Sequence, residues 1–211
     1  MGITRFEEAV SREFELGGRS HWRAGIVAAV AALVLLAGCG NSRTPVPSIA
    51  GPAAPDGFHW ITFPTVRMAL AAPNSWTESP RGGRLLTGLS SGPAVVAVWV
   101  YRAAAPPPAT RAALVARREA LIRAVRARDP SVKLIRARIL MLAGVHAIEL
   151  DAFERIGGQL RRVRSTHLYA GTREIVLDEY APPQLFHSVD HAVFSPLKRS
   201  VVLSPALGKA A

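Results

Sequence analysis

Cysteine is almost absent from this sequence of 211 residues: Cys39 is the single one, so no disulfide can form within the chain. An exported domain of this chain would therefore depend on its hydrophobic core, and not on disulfides, for its stability. The apolar share of 49% and the length are sufficient for one globular domain with a sizeable core. An unpaired thiol in an exported protein calls for an explanation, which the sequence around Cys39 offers.

Catalytic signatures are also missing. The sequence has no glycine-rich dinucleotide motif and no P-loop, and Ser90, Ser91 and Gly92 lack the strand–elbow–helix context of a serine nucleophile. We therefore predict no catalytic residue, no cofactor and a non-enzymatic function.

Acidic residues are scarce beside basic ones, with 15 against 26 and a net charge of +11. Residues 1–38 hold four arginines and four glutamates, which cancel, so the excess belongs to the rest of the chain. Such a surface attracts anionic lipid or wall polymers, and another envelope protein is a further candidate partner. Nucleic acid is not an expected partner of an exported protein. A composition rich in Ala, Arg, Gly and Pro also fits coding bias in a GC-rich genome.

Residues 24–39 form an uncharged run that ends in Leu-Ala-Gly-Cys and follows Arg19 and Arg23. A basic flank, a short apolar segment and small residues at its end are typical of a secretory signal. The last four residues resemble the bacterial lipoprotein signal, in which cleavage between Gly38 and Cys39 precedes lipidation of Cys39. We predict a protein anchored by lipid to the outer face of the cell membrane.

A membrane-spanning anchor is the alternative. The apolar run of residues 24–37 would be about 21 Å long as a helix, whereas a bilayer core of about 30 Å needs about 20 apolar residues. The run is therefore short for a span, and an anchor needs neither the small residues nor the cysteine.

Four segments are expected: a lipoprotein signal peptide at 1–38, a Pro-rich linker at 39–57, one domain at 58–203 and a loose tail at 204–211. A helix should begin at the N-cap Thr110 and end before Pro130, and a second should follow Pro183 and be kinked by Pro196. Gly157 and Gly158 predict a hairpin. The expected strands are 58–63, 66–71, 84–89, 94–101, 132–142, 144–156, 159–170 and 173–180.

This order gives an α+β fold in which two main helices pack on an antiparallel sheet of about six to seven strands. The runs 173–182 and 186–197, together with the turn from Pro73 to Trp76, resemble actinobacterial envelope lipoproteins of the PsbP-like class. PsbP is an extrinsic subunit of photosystem II. The resemblance covers about residues 58–201, and it implies a PsbP-like fold with a non-catalytic accessory or binding function.

His187 and His191 are four residues apart, which places both on one helix face as metal ligands require. With Asp190 between them they mimic the inverted zinc motif H-x-x-E-H. They are a candidate metal site, for which no third ligand is evident in the sequence beyond Glu174 or Asp178. The alternative is a pair of partly exposed surface histidines.

Two further sets of residues have both a functional and a structural interpretation. Trp60 and Trp76, with His59, could line a pocket for a ring or sugar, although packing in the core or at its edge is the favoured interpretation and needs no ligand. Acidic side chains on one strand could serve as paired carboxylates, but cross-strand ion pairs are the simpler interpretation. The acidic residues are Glu149, Asp151 and Glu154, and the basic residues on the adjoining strand are Arg161, Arg162 and Arg164.

The sequence thus predicts a lipid-anchored envelope protein that acts as an accessory or ligand-binding module. Two alternatives remain open at this point: a metal-dependent hydrolase that uses His187 and His191, and a structural protein held to the wall by charge.

Overall fold

The computed structural model describes residues 54–79 and 82–203. The predictions on the signal peptide, on Cys39 with residues 40–53 of the linker and on the tail 204–211 lie outside these residues. In chain order the strands are β1 (Phe58–Phe63), β2 (Met68–Pro73), β3 (Thr77–Ser79), β4 (Leu85–Ser91), β5 (Ala94–Arg102), β6 (Lys133–Leu142), β7 (Val145–Ile156), β8 (Gln159–Ala170), β9 (Arg173–Ala181) and β10 (Val202–Leu203). The helical segments are α1 (Arg111–Arg128), α2 (Pro183–Val189), a π-helical segment (Asp190–Phe194) and α3 (Ser195–Ser200).

The strands form two antiparallel sheets. The large sheet has seven strands in the order β3-β4-β5-β9-β8-β7-β6, and the small sheet has three in the order β1-β2-β10. This confirms the predicted α+β class. The expected strand at 66–71 is shifted, because Pro64–Val66 form a 3-10 turn that Arg67 closes at a φ of 55°. The short strand β3 was not predicted at all.

The hairpin predicted at Gly157 and Gly158 is present between β7 and β8. Both glycines have positive φ angles, of 56° and 75°, as a two-residue hairpin turn with the twist of the flanking strands requires. Ile156 and Gln159 close the ladder on either side of it. These two long strands provide most of the charged residues discussed below.

Helix α1 packs on one face of the large sheet, called here the outer face. Thr110 caps it by accepting a hydrogen bond from the Ala113 N–H at 3.1 Å, as predicted. Three half-buried side chains of its second half, from Leu121, Ile122 and Val125, pack against a cluster around Ile148, Leu150 and Tyr169.

The C-terminal helical segments pack on the opposite face, called here the inner face. Pro196 lacks an N–H, and its ring would clash with the carbonyl four residues earlier in a regular helix. The π-helical segment ends at Phe194, and a new α-helical segment begins at Ser195, with Pro196 in its first turn. The helix predicted after Pro183 is therefore interrupted by a change of helix type just before Pro196.

The main core lies between the inner face, the small sheet and the C-terminal segments. Its fully buried side chains include Met68 and Leu70 from β2, Leu168 from β8, and Phe194 and Leu197 from the last helical segments. In the sequence, Ile148, Leu150 and Ala152 alternate with Glu149, Asp151 and Phe153, which predicts one buried and one mixed face for β7. Instead both faces are buried, since Glu149 and Asp151 are only 1% and 3% exposed. The C-terminal segments cover these carboxylates, and their position could not be inferred from β7 alone.

Candidate functional site

A cleft of about 550 Å³ lies on the outer face, between the first half of α1 and strand β6. The second half of α1 packs through three apolar side chains on the outer-face cluster. In the first half Leu114 alone is buried, and the cleft lies between this half and β6. Leu114 and Val115 from α1, with Ala137 and Ile139 from β6, give the cleft an apolar floor.

Basic side chains surround this floor. Arg118 hydrogen-bonds Glu119 at 2.8 Å, so it is partly neutralised. Arg138 also borders the cleft, but its side chain lies on the inner face, where it contacts Glu149 at 2.7 Å. Arg111 and His146 complete the lining, and neither has an acidic partner among the residues that the structure describes. The rim thus keeps the guanidinium of Arg111 without an acidic partner among the described residues.

The dimensions and lining of the cleft define the molecules it can hold. Its volume falls within the range of about 300–1,000 Å³ that is usual for small-molecule sites. Guanidinium groups bind carboxylate or phosphate through paired hydrogen bonds, and the aliphatic floor favours an apolar portion. The arrangement suits a small molecule with one anionic group and one apolar group.

Beneath the C-terminal segments the sheet buries a second, ionic cluster. Glu149 accepts hydrogen bonds from Lys198 at 2.6 Å and from Arg138 at 2.8 Å. Asp151 accepts two from Arg162, at 3.0 and 2.7 Å. Of the cross-strand ion pairs predicted between the acids of β7 and the arginines of β8, only this one is present. Glu154 contacts Arg128 of α1 instead, and Arg161 hydrogen-bonds Gln159 and the Pro93 carbonyl.

Arg164 is the centre of a buried group next to this cluster. Its guanidinium contacts Glu179 and Asp190, each at 2.5 Å, and Ser195 also donates to Asp190. Burial opposes ionisation of Asp190, but these hydrogen bonds outweigh it and lower its pKa. Burial raises the pKa of Glu179 to about 7, against the attraction of Arg164. Glu179 Oε1 has no hydrogen-bond partner among the described residues.

A polar row crosses β8 and β9 on the outer face. His167 Nδ1 lies 2.7 Å from Glu174, and its Nε2 lies 3.2 Å from the Ser165 hydroxyl, as in a Ser-His-Glu relay. The hydroxyl, however, donates its single proton to Asp178 at 2.6 Å. β8 is also paired on both sides, so its N–H groups cannot form an oxyanion hole. This row is therefore not a nucleophilic site.

Residues 88–92 match the letters G-x-S-x-G, but they too lack the required structural context. They cover the end of β4 and the turn into β5, and an antiparallel strand follows instead of a helix. Ser90 is accordingly a hairpin residue.

The two candidate metal ligands lie on the last helical region. His187 and His191 are both exposed, and Asp190 between them is bound to Arg164 and Ser195. No group of three or more metal-ligating side chains occurs within residues 54–79 and 82–203. The zinc hypothesis thus gains no third ligand from this structure and stays a prediction.

The two tryptophans proposed for a pocket occupy different elements. Trp76 packs edge-on against Phe194, with ring centroids 6.1 Å apart, at the border of the main core. Trp60 is half-buried on β1, and His59 pairs with Asn74 at 2.9 Å. A ligand at the tryptophans stays a prediction, and the packing of Trp76 needs no ligand.

The residues that line the cleft were not predicted from the sequence, although the sequence contains one signal for them. Arg111, Leu114, Val115 and Arg118 follow the spacing of a single helix face, so they form a stripe of mixed basic and apolar character. The sequence does not reveal that β6 lies opposite this stripe.

No protein-family model matches the chain, and no curated protein matches it either. Among solved structures it is similar to the cyanobacterial PsbP (CyanoP) of Synechocystis, with a TM-score of 0.55 and 13% identity over 74% of this chain and 97% of that one. It also resembles LpqN, which is involved in cell envelope biogenesis of Mycobacterium tuberculosis, with a TM-score of 0.47 and 14% identity over 65% and 83% of the two chains. At such identities the likeness concerns the fold alone. The chain has a PsbP-like fold.

Proposed function

We propose that this protein is a lipid-anchored accessory protein of the cell envelope, and that it binds a small anionic, partly apolar ligand in the cleft between α1 and β6. The observation that carries the proposal is the cleft itself, in which an apolar floor is bordered by Arg111 and His146. The PsbP-like fold is compatible with a non-catalytic module. The leader that ends at Cys39 supports the location.

Binding is tested with three water-soluble probes on the full-length chain in discs of zwitterionic lipid. Hexyl phosphate combines the anionic and the apolar group, hexyl glucoside lacks the charge, and inorganic phosphate lacks the chain. Calorimetric titration should give the highest affinity for hexyl phosphate. Equal affinity for the glucoside would show that the basic rim has no function in binding.

Charge reversal assigns the binding to the cleft. Arg111→Glu should weaken hexyl phosphate binding about tenfold or more, since it replaces an attractive contact with a repulsive one. Arg123→Glu is the matched control, because Arg123 is exposed on the same helix outside the cleft lining. If the two variants lose affinity equally, the effect is one of net charge and the cleft is not the site.

The location is tested at Cys39, separately from the ligand. Processing at this residue predicts that protein from cells lacks residues 1–38 and carries acyl chains on Cys39, both visible by mass spectrometry. Cys39→Ser should release the protein from the membrane fraction. Retention with residues 1–38 still attached would instead identify a membrane-spanning anchor. The described residues contain no helix that is long and apolar enough to cross a membrane.

The same fractions distinguish the remaining alternatives. A structural protein held by charge would leave the envelope in high salt once its lipid anchor is removed. A zinc hydrolase would contain stoichiometric metal that is lost in His191→Ala.

A further inference from the structure

Strand β6 is one edge of the large sheet. It is ten residues long, whereas β3, at the other edge, has three. An edge strand has unpaired N–H and C=O groups along one side, which can pair with an added strand. The large sheet therefore has one long edge to which a further strand can be added.

Most of β6 has regular geometry. Its bulge is confined to the step between Leu134 and Arg136, and residues 136–142 remain in continuous register with β7. Bulges make an edge unsuitable for pairing only where they occur. A stretch of seven residues is thus left in the extended form that a partner strand requires.

The side chains of β6 are basic or apolar, and the strand contains no acidic residue. Lys133 and Arg136 are exposed and have no acidic partner among the described residues. Ile135 and Met141, on the same strand, are 46% and 57% exposed. The edge combines positive charge with exposed apolar surface.

These charges exclude a second copy of the chain as the occupant. Two copies of β6 paired at this edge would bring basic side chains together with no acidic residue to compensate them, which is unfavourable. The same charges favour an extended segment that alternates acidic and aliphatic residues, since charge and backbone pairing then act together.

We propose that β6 is a docking edge for an extended acidic segment of a partner protein, which adds to the large sheet as an eighth strand beside residues 136–142. This interaction does not depend on the ligand of the cleft. Ala137, Arg138 and Ile139 nevertheless line the cleft as well as belonging to β6, so a bound segment would lie next to the ligand.

The test uses a labelled nine-residue peptide of alternating glutamate and valine, and the full-length chain in a non-ionic detergent. Fluorescence polarisation measures its affinity, and a lysine–valine peptide of the same length is the control for sign. We expect binding of the acidic peptide only, and weaker binding as salt is raised. Failure of the acidic peptide to bind overturns the proposal.

Two double variants locate the interaction. Lys133→Glu/Arg136→Glu should weaken binding of the acidic peptide about tenfold or more. Arg123→Glu/Arg126→Glu makes the same change of net charge on exposed positions of α1 and should have little effect. Equal losses in both would reduce the interaction to non-specific attraction.

Hydrogen exchange distinguishes strand addition from side-chain attraction. Bound peptide should slow exchange of amides within residues 136–142, because the outward N–H groups gain partners. Unchanged exchange there contradicts the proposal even if the peptide binds. Dimers of the peptide-free chain that protect the same amides would show that a second copy is the occupant, and would contradict it too.

Discussion

The two faces of the large sheet hold their charged residues in different environments. On the inner face the Glu149 and Lys198 side chains are 1% and 11% exposed, and each is fixed by a direct contact. On the outer face Arg118 and Arg128 of α1 keep 29% and 35% of their side chains exposed. The buried contacts of Lys198 and Asp190 thus fix how the C-terminal segments dock on the inner face. On the outer face the arginines of α1 stay partly exposed, although Glu154, the partner of Arg128, is buried.

The difference follows from what covers each face. The inner face meets both the small sheet and the C-terminal segments, so its charged side chains find their ionic partners within the protein, although Glu179 Oε1 is left without a hydrogen bond. The outer face meets a single helix that is held mainly by its second half. We infer that the inner face provides stability and the outer face provides binding, and the following predictions test this division.

The largest effect is expected from truncation in the main core. Phe194 is fully buried against Phe186 and Trp76, so Phe194→Ala should lower the free energy of unfolding by about 3–5 kcal/mol. Ile122→Ala, beneath α1, removes a half-buried side chain and should cost about 1–2 kcal/mol. Chemical denaturation measures both. Equal costs would contradict a stability difference between the faces.

Ion pairs on the two faces should differ in the same direction. Lys198→Met leaves buried Glu149 with Arg138 as its remaining partner and should cost about 2–3 kcal/mol. Arg128→Met removes the partner of Glu154, whose side chain is 9% exposed while that of Arg128 is 35% exposed. Burial raises the pKa of Glu154, so this carboxyl can take up a proton when the partner is lost, and the cost should be about 1 kcal/mol. A larger loss of unfolding free energy for Arg128→Met would reverse the comparison.

Glu179 should make stability depend on pH. Because burial raises its pKa from 4.5 to about 7, the folded protein binds this proton more tightly than the unfolded chain. The stability that Glu179 contributes is therefore full below pH 4.5 and is lost as the pH rises to about 7, by up to about 3 kcal/mol.

Glu179→Gln removes this titration, so the variant should lose stability less steeply than the natural chain between pH 4.5 and 7. The unfolding free energy is compared at both pH values by denaturation. Glu119→Gln, on the exposed face of α1, is the control and should leave the slope unchanged. An identical slope in Glu179→Gln would show that this carboxyl does not titrate in that range.

A smaller effect is expected at the N-terminus of α1, which forms one wall of the cleft. Thr110→Ala removes the cap and should destabilise the protein by about 1 kcal/mol, whereas Thr110→Ser keeps a hydroxyl acceptor and should be near neutral. Faster amide exchange in the first turn of α1 would locate the change. Equal stability of the two variants would mean that the cap is not needed.

Much of the fold could be predicted from local patterns. The cap Thr110, the glycine pair at 157–158 and the helix-interrupting Pro196 each act through the backbone of their neighbours, so the sequence is sufficient to place them. The shift of β2 arose because Pro64 began a 3-10 turn that included Val66. A turn of this kind has few sequence signals that distinguish it from an extended strand.

The candidate site could be predicted less well from the sequence, because it depends on contacts between elements that are distant in the chain. The basic and apolar stripe on α1 was visible in principle, but β6 follows α1 in the chain and its position opposite the stripe is a tertiary fact. For the same reason Lys198 could not be assigned to Glu149, which lies 49 residues earlier. Local reasoning predicted charge pairing on the strands but not the partners that cover them.

Filling the cleft tests the division between the two faces most directly. Val115→Trp places a large ring in the cleft, while Val115→Ala, as the control, only enlarges it. We expect the Val115→Trp protein to bind hexyl phosphate about tenfold or more weakly, while its free energy of unfolding is not reduced. Unchanged affinity in a folded Val115→Trp protein would contradict a binding site on the outer face, because the ligand would then bind elsewhere.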